Sequence, residues 1–293
     1  MKRYRKWAAV LAALCMMGTA GCASQTSDVP SEQPGSEGLT EPVSQETQEI
    51  IPESSREEAP SGSRPGGKET QPESTEETLP DDPDTFVQQK IIVATDIHYL
   101  AEELAGNRCQ SFMSSVESGD GRVLQYGWEI LDAFIDDVVE QKPDLVILTG
   151  DLTMNGEKQS HEELAQKLET LSENGIEVAV IPGNHDINNP YARKFTSDGT
   201  VKTDSITADE FAQIYSDFGY VAADSRDPAS LSYLYKLDDY YWLLMLDSCQ
   251  YDPVNRVGGM IRGETYDWME KQLESAWEEG AQVITVSHHN ILD

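Results

Sequence analysis

Positive charge is scarce in this sequence. It has 21 lysine and arginine residues against 53 aspartate and glutamate residues, which gives a formal net charge of -32. A surface of that sign repels nucleic acid and anionic membranes, so the composition argues against a protein that binds polyanions. A small anion could still bind, provided that metal cations or helix N-termini supply positive charge locally.

Cysteine is equally sparse, with four residues in the chain. Cys15 and Cys22 lie in the N-terminal segment, which leaves Cys109 and Cys249 for the remainder of the protein. These two could form a disulfide in an exported protein, although we expect two buried thiols.

The apolar run at the N-terminus, AAVLAALCMMGTA, is shorter than the roughly 20 residues that a membrane-spanning helix needs. It follows the basic stretch MKRYRKW and precedes small residues and Cys22, an order typical of a bacterial lipoprotein signal. We therefore predict a signal peptide over residues 1–22, lipidation of Cys22 and an extracytoplasmic, membrane-anchored protein. Thr19 stands where leucine is usual, and the alternative is an ordinary secretory signal with a chance cysteine.

Residues 23–86 have few apolar side chains. The segment is rich in serine, threonine, proline and glutamate, and it holds nine of the 14 prolines. Such a composition buries too little apolar surface to offset the entropy of ordering, so we predict a disordered acidic tether.

Residues 87–293 have the pattern of a globular domain. Short apolar runs such as LVIL alternate with segments of helical periodicity, and two of those segments stop at Pro143 and at Asn174-Gly175. That alternation predicts an α/β fold with parallel strands. Further along, a hairpin turning at Asp238-Asp239 precedes another helix and a last strand that ends in SHHN.

Polar residues follow four of the predicted strands. They are Asp96 and His98, then Asp151, then Asn184, His185 and Asp186, and finally His288 and His289. Ligands bind at the carboxyl ends of parallel strands, and these side chains suit Mn, Fe or Zn. Alternation along a strand predicts that Asp96 and His98 point to the same side. Singly, each residue is explained by a turn, a cap or a satisfied interior histidine, but together they predict a two-metal site.

The ordered motifs Asp-x-His, Gly-Asp, Gly-Asn-His-Asp and a strand ending in histidine resemble those of the calcineurin-like metallophosphoesterases. The resemblance covers about residues 90 to 293 and implies a four-layer α/β/β/α sandwich that hydrolyses phosphate esters with two metal ions. It implies that Asp96, His98 and Asp151 hold the first ion, and that Asp151, Asn184 and His288 hold the second. His288 is preferred to His289 because the family's ligand comes first after the strand.

The same resemblance implies a different role for His185. This residue would be a protonated group that faces the phosphate and either stabilises transition-state charge or gives a proton to the leaving oxygen. Asp186 would orient its ring and raise its basicity.

One departure from the family concerns the Gly-His-x-His motif that normally adds one further ligand to each metal. No such motif follows His289, so we expect a longer natural protein. The alternative is a chain that stops at Asp293 and has weakened metal binding. A rival function is a non-catalytic surface lipoprotein that uses this fold to bind a ligand. An exported metalloprotease would need a His-Glu-x-x-His helix, which the sequence lacks.

The remaining features receive simpler interpretations. His161 is assigned to a solvated helix face, and the aromatic run over residues 233–242 is assigned to the core and to a sheet face. The loop-like insertion over residues 99–122 is predicted to form the rim of the pocket.

Overall fold

The first sheet is built from three parallel strands. In the computed structural model, which describes residues 88–119 and 122–290, these strands are β1 (Ile91–Ala94), β2 (Leu145–Leu148) and β3 (Glu177–Val180). They lie in the order β1-β2-β3, with Ile91 opposite Leu145 and Leu145 opposite Glu177. The parallel pairing predicted from the alternating pattern is therefore confirmed.

Two long helices connect these strands. Helix α2 (Gly127–Gln141) follows α1 (Gln110–Ser118), and α3 (Lys158–Glu173) joins β2 to β3. α2 ends one residue before Lys142, whose backbone is left-handed with φ 46°. Pro143 comes next and cannot donate a backbone hydrogen bond, so the sequence stops the helix where it was expected to.

A separate hairpin of β4 (Arg193–Thr196) and β5 (Gly199–Lys202) and the short helix α4 (Ala208–Ile214) precede a second sheet. Its four strands are β6 (Ser225–Arg226), β7 (Tyr233–Lys236), β8 (Tyr241–Leu246) and β9 (Gln282–Ser287), and they lie in the order β6-β7-β8-β9. Helix α5 (Gly263–Glu279) joins β8 to β9. β7 and β8 form the predicted antiparallel hairpin, whereas β9 runs parallel to β8.

The side chains of β7 and β8 alternate between two cores, and this arrangement gives the fold its four layers. Tyr233, Tyr235, Leu243 and Met245 join the large core that also contains the first sheet, α2 and α3. Leu234, Trp242, Leu244 and Leu246 point the other way, into a second core with Trp268 of α5. Since successive side chains of a strand face opposite sides, one hairpin supplies both cores. The aromatic run is buried as predicted, and the α/β/β/α order is confirmed.

The two cysteines of the globular part are both free. Cys249 is buried, while Cys109 is half-buried and contacts the hydroxyl of Ser111. The expectation of thiols instead of a disulfide is confirmed, although Cys109 is only partly covered. The predicted signal peptide and tether lie outside the described residues. Within residues 88–119 and 122–290, no helix is long and apolar enough to cross a bilayer.

Candidate metal centre

Asp96 and His98 lie in the loop that follows β1, where the backbone is left-handed. Their φ angles are 54° and 47°, and Asp151 after β2 has φ 49°. Positive φ is uncommon and costly for residues other than glycine, and it persists where surrounding contacts impose it. Here Asp96 N donates to Gly150 O (3.1 Å) and His98 N donates to Asp151 O (2.9 Å). The alternation argument for these side chains was therefore wrong, because neither residue is in an extended strand.

Two glycines allow the loops of the site to approach one another. A Cβ atom on Gly183 would lie 2.0 Å from Asp151 N and 2.2 Å from Asp151 Oδ1. A Cβ atom on Gly150, where φ is +96°, would lie 2.6 Å from Gly183 N. Both positions require glycine because the Gly-Asp and Gly-Asn-His-Asp loops pack backbone against backbone.

Asp151 is the central side chain of the site, and it is 4% exposed. Its Oδ2 lies 3.7 Å from His98 Nε2 and 3.9 Å from His185 Nε2. Its Oδ1 lies 3.5 Å from His288 Nε2 and accepts a hydrogen bond from His185 N (2.9 Å). The two carboxylate oxygens therefore face different histidines, which is the arrangement that a bridging carboxylate needs.

His288 reaches this site from the second sheet, because it follows β9. Its Nδ1 lies 2.9 Å from Thr149 O, so this nitrogen carries the proton and donates to the carbonyl. Its Nε2 is then unprotonated and carries a lone pair. This nitrogen faces Asn184 Oδ1 at 3.2 Å and also faces Asp151 Oδ1. A carbonyl that fixes the tautomer and the ring orientation in this way is typical of metal-binding histidines.

On the other side of Asp151, Asp96 Oδ1 lies 3.7 Å from His98 Nε2. This interaction is the largest cause that lowers the pKa of Asp96 to about 2, and the hydroxyl of Thr95 contributes a hydrogen bond of 2.6 Å. His98 Nδ1 is buried and has no hydrogen-bond partner in the described structure.

The donor set of the site fits a pair of cations. Five predicted ligands supply carboxylate oxygens, an amide oxygen and imidazole nitrogens, and most of these atoms face one another across gaps longer than a hydrogen bond. The ligand atoms of His98, Asp151 and His185 all lie within 4.8 Å of one another. Oxygen and imidazole ligands of this kind suit Mn, Fe or Zn.

His185 is held by its backbone and by a carbonyl group. Its Nδ1 lies 2.6 Å from Met154 O, and its own carbonyl accepts from Asn189 Nδ2 at 2.9 Å. Nδ1 therefore carries a proton, and Nε2 faces Asp151. Burial lowers the pKa of His185, and the charge of Asp151 opposes that shift.

Asp186 does not orient the His185 ring, and that expectation was wrong. Its carboxylate is fully buried and accepts from the backbone N–H groups of Leu152 (3.1 Å), Thr153 (2.9 Å) and Gly183 (2.8 Å). Burial, followed by the charge of Asp151, raises its pKa to about 6, against the effect of these donors. Asp186 thus ties the Gly-Asn-His-Asp loop to the loop after β2, while Met154 orients the imidazole.

His161, assigned to solvent from the sequence, is instead fully buried beneath this loop. Its Nε2 donates to Asp186 O (3.0 Å) and lies 3.1 Å from Thr153 Oγ1, and its Nδ1 accepts from Tyr215 OH (2.9 Å). Its helical spacing with Leu164 and Leu168, both buried, was the signal that could have placed it on the inner face of α3.

The insertion over residues 99–122 forms more than a rim. It contains α1 and a 3-10 turn, and Tyr99, Leu104 and Phe112 are buried in the large core. At its end, Arg122 is near enough for its charge to lower the pKa of His185. The insertion therefore contributes to the core, and its end at Arg122 lies near the site.

Sequence reasoning missed Asn255 beside the site, and it named His289 without predicting its contact. Asn255 Nδ2 donates to the carbonyl oxygens of Asn184 and Ile187, at 2.8 Å each. His289 Nε2 lies 2.8 Å from Val257 O. No spacing rule predicts either contact, because the partners are far apart in the chain.

Comparison with known proteins identifies a family for this chain. A family model for the calcineurin-like phosphoesterases matches residues 89–293. A dimetal phosphatase from Danio rerio is similar in structure, with a TM-score of 0.44 and 11% sequence identity, over 68% of this chain and 69% of that chain. A search of curated proteins found no match. Because the family model covers more than half of the chain, the protein belongs to the calcineurin-like phosphoesterase family of metal-dependent hydrolases.

Proposed function

We propose that this protein hydrolyses phosphate esters, with Asp96, His98 and Asp151 holding one cation and Asp151, Asn184 and His288 holding a second. The supporting observation is the position of Asp151, whose Oδ2 faces His98 and whose Oδ1 faces His288. Cations bound there would polarise the phosphoryl oxygens and neutralise charge that develops in the transition state. The neutral amide of Asn184 adds no negative charge to the second set.

The protein's own contribution to bond breaking comes from His185. Met154 O fixes its Nδ1–H, so Nε2 is the nitrogen that faces the site. When protonated, Nε2 donates its proton to the leaving oxygen, and a positioned acid of this kind contributes about 10²–10⁴-fold in rate. The charge of Asp151 favours the protonated ring, which burial disfavours.

The proposed substrates are small phosphate monoesters or diesters. A formal net charge of -32 repels long polyanions, and nucleic acid is accordingly not an expected partner. The proposed location is the extracytoplasmic face of a bacterial membrane, through a lipid on Cys22 alone. Support for this location is the order of basic stretch, apolar run and small residues before that cysteine.

The activity test uses p-nitrophenyl phosphate and its bis-ester, after chelation and reloading with Mn²⁺. Asp151→Asn removes the charge shared by the two cation sets, so both activities should fall by at least about 100-fold. His185→Ala should lower both activities by a similar factor, since it removes the proton donor. Asp239→Asn, exposed in the β7–β8 turn, is the matched control and should retain wild-type rates.

A surface lipoprotein that binds a partner without catalysis predicts the opposite results. Such a protein would contain no stoichiometric metal, and Asp151→Asn would not change its binding of the partner. Absence of hydrolysis by folded, Mn²⁺-loaded protein would therefore overturn the proposed activity, and metal analysis of the same sample would separate the two functions.

A further inference from the structure

The segment over residues 250–261, called here the connecting segment, leads from β8 towards α5. It contacts Asn184, a proposed ligand of the second cation, and His289, the chain neighbour of the other proposed ligand His288. Asn184 belongs to the loop after β3 in the first sheet, while His288 follows β9 in the second sheet. Because these two side chains come from different sheets, contacts outside the sheets must set the distance between them.

One such contact is made by Asn255. Its Nδ2 donates to Asn184 O and Ile187 O, at 2.8 Å each. These are backbone carbonyls, so the side-chain oxygen of Asn184 stays free to face His288. Asn188 Nδ2 adds a second bond to the segment, at 3.1 Å from Tyr251 O.

The other contact is made by His289, whose two ring nitrogens are both engaged. Its Nε2 lies 2.8 Å from Val257 O, and because a carbonyl only accepts, Nε2 carries the proton. Its Nδ1 then accepts from the hydroxyl of Ser248 at 2.8 Å, and the same oxygen accepts from His289 N at 3.2 Å.

Gly259 lets the segment pack directly on this ring. A Cβ atom at that position would lie 2.5 Å from His289 Cγ and 2.6 Å from His289 Cβ. The contact is therefore close on two sides, by hydrogen bond at Val257 and by van der Waals packing at Gly259.

We infer that Asn255 and His289 are positioning residues that hold Asn184 and His288 at the separation which the second cation requires. Asn255 and Val257 are two residues apart, so their Cα atoms lie at most about 7 Å from each other. Neither side chain touches the atoms that face the cation, so both act through their neighbours. This inference rests on the proposed two-cation centre, and it concerns the second site alone.

The test compares His289→Asn with His289→Gln in the full chain. The amide nitrogen of glutamine reaches about as far as His Nε2, whereas asparagine stops near the position of Nδ1. We expect asparagine to weaken the second Mn²⁺ site by about 10-fold, the lower end of the loss that follows removal of a ligand's own hydrogen-bond partner, because His289 acts on His288 through the chain. Glutamine should restore most of the affinity, and Asn255→Ala should behave like His289→Asn.

Two readouts follow the cations themselves. Calorimetric titration with Mn²⁺ gives the affinity of each site, and low-temperature electron paramagnetic resonance distinguishes a coupled pair from a single ion. Arg256→Ala is the matched control, since this exposed side chain lies between the two attachments and makes no side-chain contact to either cation set. It should bind two ions as the wild type does.

Wild-type affinity at both sites in His289→Asn and Asn255→Ala would overturn the inference while leaving the two-cation centre intact. Equal loss of both sites, with a lower melting temperature, would also overturn it, since the segment would then be only structural. A folded wild type that binds no second ion would instead refute the proposed function.

Discussion

At the scale of single residues, the site depends on backbone conformations that side-chain chemistry does not reveal. Asp96, His98 and Asp151 all have positive φ, and each such residue costs on the order of 1–3 kcal/mol. Hydrogen bonds between the loops after β1 and β2 maintain these conformations. The close packing of Gly150 on Gly183, in the loop after β3, also maintains them. The residue types were predictable from the sequence, but the conformation that aims them was not.

Gly183→Ala should therefore damage both stability and metal binding. The new methyl group would overlap Asp151 N and Oδ1, so the two loops must separate. We expect the free energy of unfolding to fall by about 3 kcal/mol, and Mn²⁺ affinity to fall with it. Urea unfolding and Mn²⁺ titration of the same preparation measure the two effects.

Gly127→Ala is the control for that substitution. Gly127 begins α2 with helical φ/ψ, and an added Cβ would meet nothing within 4 Å. Alanine there should be neutral or stabilise the fold by about 0.4–1 kcal/mol. Unchanged stability in Gly183→Ala would contradict the proposed need for close backbone contact.

At the scale of elements, the sequence predicted α3 correctly but misplaced one residue of it. Leu164, Leu168 and Leu171 form the buried face, and His161 lies on the same face. Its burial requires partners for both ring nitrogens, and these come from Asp186 and from Tyr215. Both partners are distant in the chain, so helical periodicity alone could not show that a polar side chain would be satisfied there.

His161 should make the stability of the protein depend on pH. Burial lowers its pKa from 6.5 to about 3, so the unfolded chain takes up the proton first as the pH falls. Its contribution is complete above pH 6.5 and is lost progressively down to about pH 3. Between pH 7.5 and 5.5 the loss should be about 1.4 kcal/mol.

His161→Gln tests this dependence, because the amide can still donate to Asp186 O. Unfolding free energies at pH 7.5 and 5.5 are compared for the two proteins, and titrating groups common to both cancel. The variant should lose less stability than the wild type on acidification. An identical loss in both proteins would show that His161 does not carry this part of the pH dependence.

At the scale of the whole molecule, the centre exists because two sheets meet. Asp96, Asp151 and Asn184 follow strands of the first sheet, whereas His288 follows a strand of the second. The core between the sheets, in which Tyr233 OH donates to Val180 O at 2.9 Å, holds the two edges together. Metal binding and the packing of the sheets are therefore expected to be linked, since one cation would contact both.

The proposed lipid on Cys22 would determine where the whole molecule is located. In a bacterial host that processes lipoproteins, the wild-type chain should fractionate with membranes and incorporate a labelled fatty acid. Cys22→Ala removes the acceptor thiol and should abolish labelling and release the protein. Cys15 lies within the preceding apolar run, and Cys15→Ala should leave both properties unchanged. Labelling that persists in Cys22→Ala would exclude this residue as the anchor.

Beyond the family resemblance, which implied the four layers, the sequence by itself determined the parallel strands β1 to β3 with α2 and α3, the elements from β7 to β9, and the residue types that converge on the site. It could do so because periodicity, helix stops and strand ends are local properties of the chain. Only the tertiary structure decided that Met154 and not Asp186 orients His185, that His161 is buried, that Asn255 bonds to the loop after β3, and that His289 bonds to Val257. Those outcomes depend on left-handed turns and on contacts between residues distant in sequence, such as the 31 positions between Met154 and His185. No local pattern encodes which carbonyl such a side chain will meet.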